Sequence, residues 1–483
     1  MKISAVTAAS MLVLCCSANA DVSISNKPTQ NMSCSAGVCM PTAPKAVLNV
    51  DDLTTMLASG DVTVKTGTLA KDIDIDQPLT WSSTSRLTLD AQQSVTVKKQ
   101  ITVAGTGALT VVANDTGGAK AKNKAGEFII VPEHGSVQFL DLSSSLMIDG
   151  NAYTLVGDIK TLASDIATNP SGFYALAKSY DASVDGAYSA APITTLFQGV
   201  LEGLGNEIVS LSIRSGGGGA LIGLFPAIDS PAIIRHLGIV KANLSASASH
   251  GIGLLVGGDS FGLIERCWTN GSISLSNSLA AGGLTSGNEG TITNSYAQVR
   301  VQGYDPWKTL GGLVGFNDGL ISSSYAIRSV ALRNGTLVYV GGLVGENTGI
   351  IVDSYARNHI ADGKNNDTSR YGGLVGENAP GAQIETSYAA GPITSHSQGV
   401  HIGGFIGEDE AAPGSIHDSY WDLDMGVSDP SRGAGNVEND PGIAGLSDTQ
   451  PKSGLPDGFD PKIWGQSPSI NSGYPYLLAN PPK

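Results

Sequence analysis

Short alternations of apolar and polar residues run along most of the chain, and they predict β-strands rather than helices. Between Lys71 and Asp76, for example, Ile73 and Ile75 fall on one side of a strand and three aspartates fall on the other. Glycine accounts for 62 of the 483 residues, which is typical of chains with many tight turns. The pattern predicts an all-β protein, with one helical insertion expected around residues 159–177.

A repeat of about 30 residues occupies the C-terminal half of the chain. Its first block reads Gly-Gly-Leu-Val-Gly-x-Asn, and its second block reads Gly-x-Ile-x-x-Ser-Tyr. The first glycines of successive copies are 29, 30, 31 and 31 residues apart. Such a length fits about three short strands and three turns. Because each unit buries its core only against its neighbours, the repeat predicts a right-handed parallel β-helix, a solenoid.

Each repeated position has a predicted structural role. We expect Ile to point into the core, Tyr to stack as an aromatic column, and Gly to permit sharp bends. An amide ladder is one interpretation of the Asn row, but we favour the ordinary turn preference of asparagine. These repeat residues are Gly312, Leu313, Gly315, Asn317, Ile321 and Tyr325, then Gly342, Leu343, Gly345, Asn347, Ile351 and Tyr355, then Gly373, Leu374, Gly376, Asn378, Ile384 and Tyr388, and finally Ile416 and Tyr420.

The first twenty residues are typical of an export signal. Lys2 precedes a short apolar run, and Ala18-Asn19-Ala20 is a typical cleavage site. An exported chain reaches an oxidising compartment, so we expect a disulfide between Cys34 and Cys39. The expected location is extracellular or the cell surface, with the periplasm as the alternative.

The chain divides into five predicted regions, which differ in pattern and in the strength of the repeat. They are a signal peptide at 1–20, an N-terminal lead-in or cap at 21–46, irregular β-helix coils at 47–195, the regular repeat at 196–425, and a tail at 426–483 that covers the open end of the helix.

Net charge argues against two classes of partner. The chain carries a formal charge of −15 and has a pI of about 4.8, so it should repel nucleic acid and anionic membranes. After the signal, no apolar stretch approaches the roughly 20 residues that a spanning helix needs. We therefore expect neither nucleic acid nor a membrane span, and no motif indicates a cofactor.

The two repeat blocks resemble the GLUG motif of bacterial exported proteins. The segment from Leu48 to about Ile213 is similar to filamentous-haemagglutinin-type adhesin passengers, for example at 57–64, 101–110 and 144–150. Together these likenesses cover nearly the whole mature chain. The resemblance implies adhesion or cell-surface association, with a glycan or a protein on a cell surface as partner. Because one scaffold hosts many functions, the repeat indicates architecture more strongly than activity.

Two other functions compete with adhesion. Parallel β-helices also host polysaccharide lyases and hydrolases, which need clustered carboxylates. Asp72, Asp74 and Asp76 could hold Ca²⁺, but we interpret them as the solvent face of an amphipathic strand. The segment from Tyr420 to Asp424 could bind a sugar, but it fits the start of the C-terminal cap equally well.

No zinc-protease or serine-hydrolase motif occurs in the chain. We therefore predict no catalytic, metal-binding or cofactor-binding residues, and a protein that is not an enzyme. The third hypothesis is a structural exoprotein that self-associates through its ends. For adhesion, the inserted loops at 357–370 and 391–401 are the predicted contact regions.

Overall fold

The computed structural model describes residues 21–482 except 115–125, 133, 307, 336, 364–367 and 396–400. The predicted signal peptide at 1–20 lies outside the described residues. Within them, the chain winds into a parallel β-solenoid of about 12 coils, which confirms the predicted fold class. Successive tyrosine rings stack 4.7 Å apart along the axis, the spacing of hydrogen-bonded strands.

The strands form four long faces, which we name A to D in the order in which each repeat coil meets them after its Asn. Face A contains strands Met32–Ser35, Val38–Pro41, Val62–Lys65, Arg86–Asp90, Ala108–Val112, Ser145–Ile148, Asn151–Val156, Phe173–Leu176, Val200–Glu202, Ile233–Arg235, Leu263–Glu265, Thr291–Thr293, Leu320–Ser322, Ile350–Val352, Gln383–Glu385 and Ile416–His417. Face B contains Tyr180–Asp181, Ala187–Tyr188, Glu207–Val209, Ser212–Ser215, Gly238–Ser247, Trp268–Ser276, Tyr296–Tyr304, Tyr325–Leu332, Tyr355–Asp362, Tyr388–Ala389, Ile393–Thr394, Ser419–Asp422 and Ile443–Leu446.

Faces C and D are built from shorter strands. Face C contains Leu221–Ile222, Gly251–Ile252, Ala280–Gly282, Thr309–Gly311, Tyr339–Gly341, Arg370–Gly372 and His401–Gly403. Face D contains Val256–Ser260, Thr285–Asn288, Val314–Asn317, Val344–Asn347, Val375–Asn378 and Ile406–Asp409.

The N-terminal coils use two further sheets, and the tail adds a small antiparallel pair. The first sheet contains Phe128–Ile130, Val95–Val97, Asp72–Ile75, Asp21–Ser25 and Ala46–Asn49, the second contains Val137–Phe139, Ile101–Val103 and Leu79–Trp81, and the tail pair is Trp464–Gly465 with Tyr476–Leu477. The helices are Val50–Ser59, Ile159–Thr168 and Thr449–Ser453, with 3₁₀ turns at Ala182–Asp185 and Asn471–Gly473.

A repeat coil contains four strands, so the prediction of three was wrong. The Gly-Gly-Leu-Val-Gly block divides between faces C and D, because the chain bends sharply at its second glycine and leucine. A Cβ on Gly342 would lie 2.1 Å from the carbonyl oxygen of Gly373 in the next coil. Only glycine permits so close an approach of two backbones, so the bend depends on the glycine itself.

The repeated Ile and Ser residues line the inside of the solenoid. Ile292, Ile321 and Ile351 are fully buried and pair in register along face A. The Ser that follows the turn is also buried, and Ser324 Oγ accepts a hydrogen bond from the backbone N–H of Ser295 at 3.1 Å. Cys267 takes this serine position and is buried, so it is a small core side chain.

The Asn row forms an amide ladder, and our preference for simple turn propensity was wrong. Asn288 Nδ2 donates to Asn317 Oδ1 at 2.7 Å, and Asn317 repeats the contact with Asn347 at 2.7 Å. Asn347 continues it to Asn378 at 3.0 Å, and Asn378 ends it on Asp409 at 2.8 Å. The amides are completely buried, so each must find a partner in the neighbouring coil. Because the coils are in register, that partner is the next asparagine of the row, or Asp409 at its end.

The N-terminal boundary differs from the sequence-based one. Strand Asp21–Ser25 pairs with Asp72–Ile75 on one side and with Ala46–Asn49 on the other, so it lies inside a sheet rather than in a lead-in. The hairpin that follows ends face A, and its Cys34 and Cys39 form a disulfide across paired positions. The sequence also gave no indication of helix Val50–Ser59, whose buried Leu53 and Leu57 join the N-terminal core.

The tail does more than cover the open end. Strand Ile443–Leu446 adds a last parallel strand to Ser419–Asp422 at that end. From Thr449 the chain then returns along the outside of face B. Trp464 Nε1 donates to Asp353 Oδ1 at 3.1 Å, and Asn480 Nδ2 reaches the carbonyl of Ser323 at 3.4 Å. The tail therefore covers the flank of several coils as well as the tip.

Candidate binding surfaces

The tyrosine column lies on the outside of face B, under the tail. Tyr296, Tyr325, Tyr355 and Tyr388 stack in parallel at 4.7 to 4.9 Å. Phe459, Trp464 and Tyr474 of the tail pack against this stack and form a separate apolar cluster with it. Tyr325 and Tyr355 are consequently fully buried, and the column offers no open aromatic surface to a ligand.

The segment from Tyr420 to Asp424 is the anchor of the tail. Trp421 is buried and donates from Nε1 to the carbonyl of Val427. Asp422 is also buried and accepts a hydrogen bond from the phenol of Tyr474. Asp424 Oδ2 accepts from the backbone N–H of Asp448 at 2.8 Å. These contacts favour the capping interpretation over a sugar site.

The N-terminal aspartates are engaged by the protein itself. Ile73 and Ile75 are fully buried, while Lys98 Nζ lies 2.9 Å from Asp74 Oδ2 and 3.1 Å from Asp76 Oδ1. Burial raises the pKa of Asp74 even so. An ammonium already balances these carboxylates, so the strand fits the amphipathic interpretation.

A buried charge cluster joins the N-terminal and repeat halves of the solenoid. Glu202 is completely buried, with Arg235 Nε at 2.6 Å and His236 Nδ1 at 2.8 Å from its two oxygens. Burial alone would raise the pKa of Glu202, but His236 and Arg235 hold it below its ordinary value. The Nε2 atom of His236 accepts from the backbone N–H of Ile130 at 3.3 Å. The cluster is closed to ligands and holds the two halves together.

Faces C and D meet in a concave corner that we call the corner furrow. Side chains of face C, or of the residue just before it, contact Glu side chains of face D in the next coil, 38 residues further along the chain. Lys308 Nζ lies 3.0 Å from Glu346 Oε2, and Arg370 Nε lies 2.6 Å from Glu408 Oε2. Between these ion pairs, the Tyr339 phenol lies beside the carboxyl of Glu377. The furrow therefore brings carboxylates of three adjacent coils together.

Electrostatics distinguish Glu377 from its neighbours. Burial raises the pKa of Glu377 to about 7, and Glu346 and Glu410 add to the effect. Glu377, Glu408 and Glu410 bring one oxygen each within 4.8 Å of one another, yet Arg370 and His401 already contact Glu408. Neighbouring cations therefore already balance the charge of Glu408, and the group does not resemble an open metal site.

The uncovered part of face B carries a cationic cluster that we call the arginine face. Arg300, Arg328, Arg333 and His359 are all exposed and line a shallow depression of about 480 Å³. Within the described part of the chain, no carboxylate forms an ion pair with any of the three arginines. With its amide suitably oriented, Gln302 Oε1 accepts from Arg333 at 3.2 Å. Three cations therefore face solvent in a chain whose net charge is −15.

Backbone geometry adds to this feature. Arg328 has a φ of +130°, a conformation that costs a non-glycine residue free energy and is concentrated at functional sites. The arginine face could not be predicted from the sequence, because its residues lie in three different coils. The strand register places Ser329 beside Arg300 and His359 beside Ser329, and only this alignment of coils reveals the cluster.

The predicted contact loops are only partly loops. Residues 355–362 form a strand of face B, and Arg357 Nη1 donates to Asn471 Oδ1 of the tail at 2.7 Å. Residues 364–367 and 396–400 of these segments lie outside the described residues. Among the helices that the structure describes, none is long and apolar enough to cross a membrane.

Comparisons with known proteins do not identify a family for this chain. No family model matches the chain, and no curated protein matches it. The crystal structure of a putative immunoglobulin A1 protease from Bacteroides ovatus is similar to this chain with a TM-score of 0.45 and 18% identity. The match covers 68% of this chain and 93% of that one.

Proposed function

We propose that this protein is an exported surface-contact protein that adheres to an acidic glycan on a target cell through the arginine face. The observation that carries the proposal is the cluster of Arg300, Arg328 and Arg333, which have no carboxylate partner among the described residues. Arginine forms bidentate hydrogen bonds with carboxylate and sulfate groups, and it stays charged at any physiological pH.

The scaffold suits such a ligand. Adjacent coils lie about 4.8 Å apart along the axis, so Arg300 of one coil and Arg328 and Arg333 of the next present three charges close together. A stiff solenoid pays little entropy to hold this array in place. The signal-like N-terminus and the resemblance to exported adhesins support the same location and role.

Binding to immobilised polygalacturonate, with dextran as the neutral reference, tests the proposal. The triple variant Arg300→Gln, Arg328→Gln, Arg333→Gln should weaken binding at least about tenfold, and raising the salt concentration should weaken wild-type binding. A matched variant with Lys27, Lys99 and Lys178 changed to Gln removes the same charge elsewhere and should bind nearly as well as wild type. Equal affinity of the two variants would contradict the proposal.

Polysaccharide cleavage in the corner furrow is the second candidate function. One observation favours it, since Glu377 has a pKa raised to about 7 beside further carboxylates, as a general acid requires. It ranks second because Lys308 and Arg370 already pair with the flanking Glu346 and Glu408. Reducing-end release from a polysaccharide panel, lost in Glu377→Gln, would place it first.

A further inference from the structure

The corner furrow changes character at its upstream end. The outward position of face D holds Glu in three consecutive coils, at Glu346, Glu377 and Glu408. One coil upstream it holds Phe316, and the next holds Gly287. At this position, the row of glutamates thus gives way to an aromatic ring in one coil and to a glycine in the next.

The side chains of face C also become smaller in these upstream coils. Its outward position is Tyr339 or Thr309 in downstream coils, but Ala280 and Gly251 further upstream. Small residues on both walls leave a slot of about 470 Å³, which is within the size range of small-ligand sites. We call this the corner slot.

Its lining combines one ring with several hydrogen-bonding groups. Phe316 is half-buried at one end, and His250 and Asp259 lie exposed at the rim. Lys308 Nζ lies 5.3 Å from the Phe316 ring centroid, and its charge is compensated by Glu346 at 3.0 Å. Asp259 and Lys308 leave the slot without an excess of positive charge, so acidic ligands gain nothing there.

We infer that the corner slot binds a single neutral sugar residue, with its apolar face against Phe316 and its hydroxyls bonded by Asp259, His250 and Lys308. A pyranose has one apolar C–H face and a rim of hydroxyls, which matches a ring at one wall and polar groups around it. A carboxylate accepts from two hydroxyls, and an ammonium donates to a third. The slot lies on faces C and D, so this inference is independent of the arginine face.

The test uses the mature chain and saturation-transfer NMR with methyl glycosides of glucose, galactose, mannose and N-acetylglucosamine. At least one should bind in the millimolar range. Phe316→Ala should weaken that binding about tenfold. Gly287→Gln should abolish it, because the new side chain occupies the slot at a position where other coils carry Glu.

Phe261→Ala is the matched control, since Phe261 is 46% exposed and does not line the slot. It should leave affinity unchanged, and far-ultraviolet circular dichroism should show that all three variants keep the fold. Absence of binding by all four glycosides overturns the inference. Binding that survives both Phe316→Ala and Gly287→Gln overturns it equally.

Discussion

The phenol of Tyr474 donates a hydrogen bond to the carboxylate of Asp422, a residue 52 positions earlier in the chain. The same hydroxyl contacts Asp448, and the ring lies between the guanidinium of Arg357 and the ammonium of Lys452, at 4.6 and 4.5 Å. Burial and the two carboxylates raise the pKa of Tyr474. The tail is therefore fastened to the solenoid by one tyrosine that uses both its hydroxyl and its ring.

Removal of that hydroxyl should loosen the tail. In Tyr474→Phe, the buried Asp422 loses a donor, which should lower the free energy of unfolding by about 1–3 kcal/mol. Limited proteolysis should then cut the tail first. Tyr476→Phe, two residues further along the tail in strand Tyr476–Leu477, is the control and should change little. If both variants resist protease equally, the hydroxyl does not fasten the tail.

The contribution of Tyr355 to the stability of the fold should come from its ring and not from its hydroxyl. The ring stacks 4.7 Å from Tyr325 and 4.9 Å from Tyr388, so Tyr355→Ala should cost about 3–5 kcal/mol. The buried hydroxyl has no hydrogen-bond partner within the described residues, so Tyr355→Phe should keep or raise stability. Urea unfolding of both variants measures these free energies. A large loss of stability in Tyr355→Phe would contradict the view that the hydroxyl contributes little.

The amide ladder should be more sensitive in its middle than at its end. Asn347 accepts from Asn317 and donates to Asn378, so Asn347→Ala breaks two ladder bonds and should cost about 2–4 kcal/mol. Asn288 is the first member, and Asn288→Ala breaks one ladder bond, which predicts roughly half that cost. Equal losses in chemical denaturation would show that the amides act as independent turn residues.

Stability at the capped end should fall as pH rises. Burial and the neighbouring carboxylate of Asp409 raise the pKa of Asp440 to about 7. Unfolding restores an ordinary pKa of about 4, so the folded state binds more protons between these values. The contribution of Asp440 to stability is therefore fully present below about pH 4 and is lost as pH rises toward about 7, by at most about 1.4 kcal/mol per pH unit.

Asp440→Asn tests that dependence because an amide stays neutral. The unfolding free energy of this variant should decline less between pH 5 and pH 8 than that of the wild type. Glu377 has a raised pKa of about 7 and contributes with the same sign, so a residual slope is expected. An unchanged slope in Asp440→Asn would mean that Asp440 ionises normally.

The solenoid could be predicted because its signal is local and repeated. Ile321 and Ile351 recur at the repeat spacing, and in-register stacking follows once coils have equal length. Gly342 could be assigned to a bend for the same reason. The number of strands could not, since the split of Gly-Gly-Leu-Val-Gly between faces C and D depends on backbone packing against the next coil.

Contacts between segments that are distant in the sequence could not be predicted. The Asn ladder needs each amide to be buried and oriented, which no turn statistic reveals. The return of the tail depends on Trp464 meeting Asp353, 111 positions apart, and no repeat relates the two. The arginine face and the corner slot appear only when the coils are aligned, because each draws on single departures from the consensus, such as Gly287 and Arg328.

The reversal of the tail also decides how the molecule bears mechanical load. Asn480 lies beside Ser323, well away from the tip where Ile443–Leu446 ends the stack. A force applied to the chain at Asn480 therefore acts at the flank of the solenoid and pulls on the tail before it reaches the coils. The aromatic contacts of Phe459, Trp464 and Tyr474 would separate one after another, and the hydrogen-bonded rungs behind them would stay intact until that strap had opened.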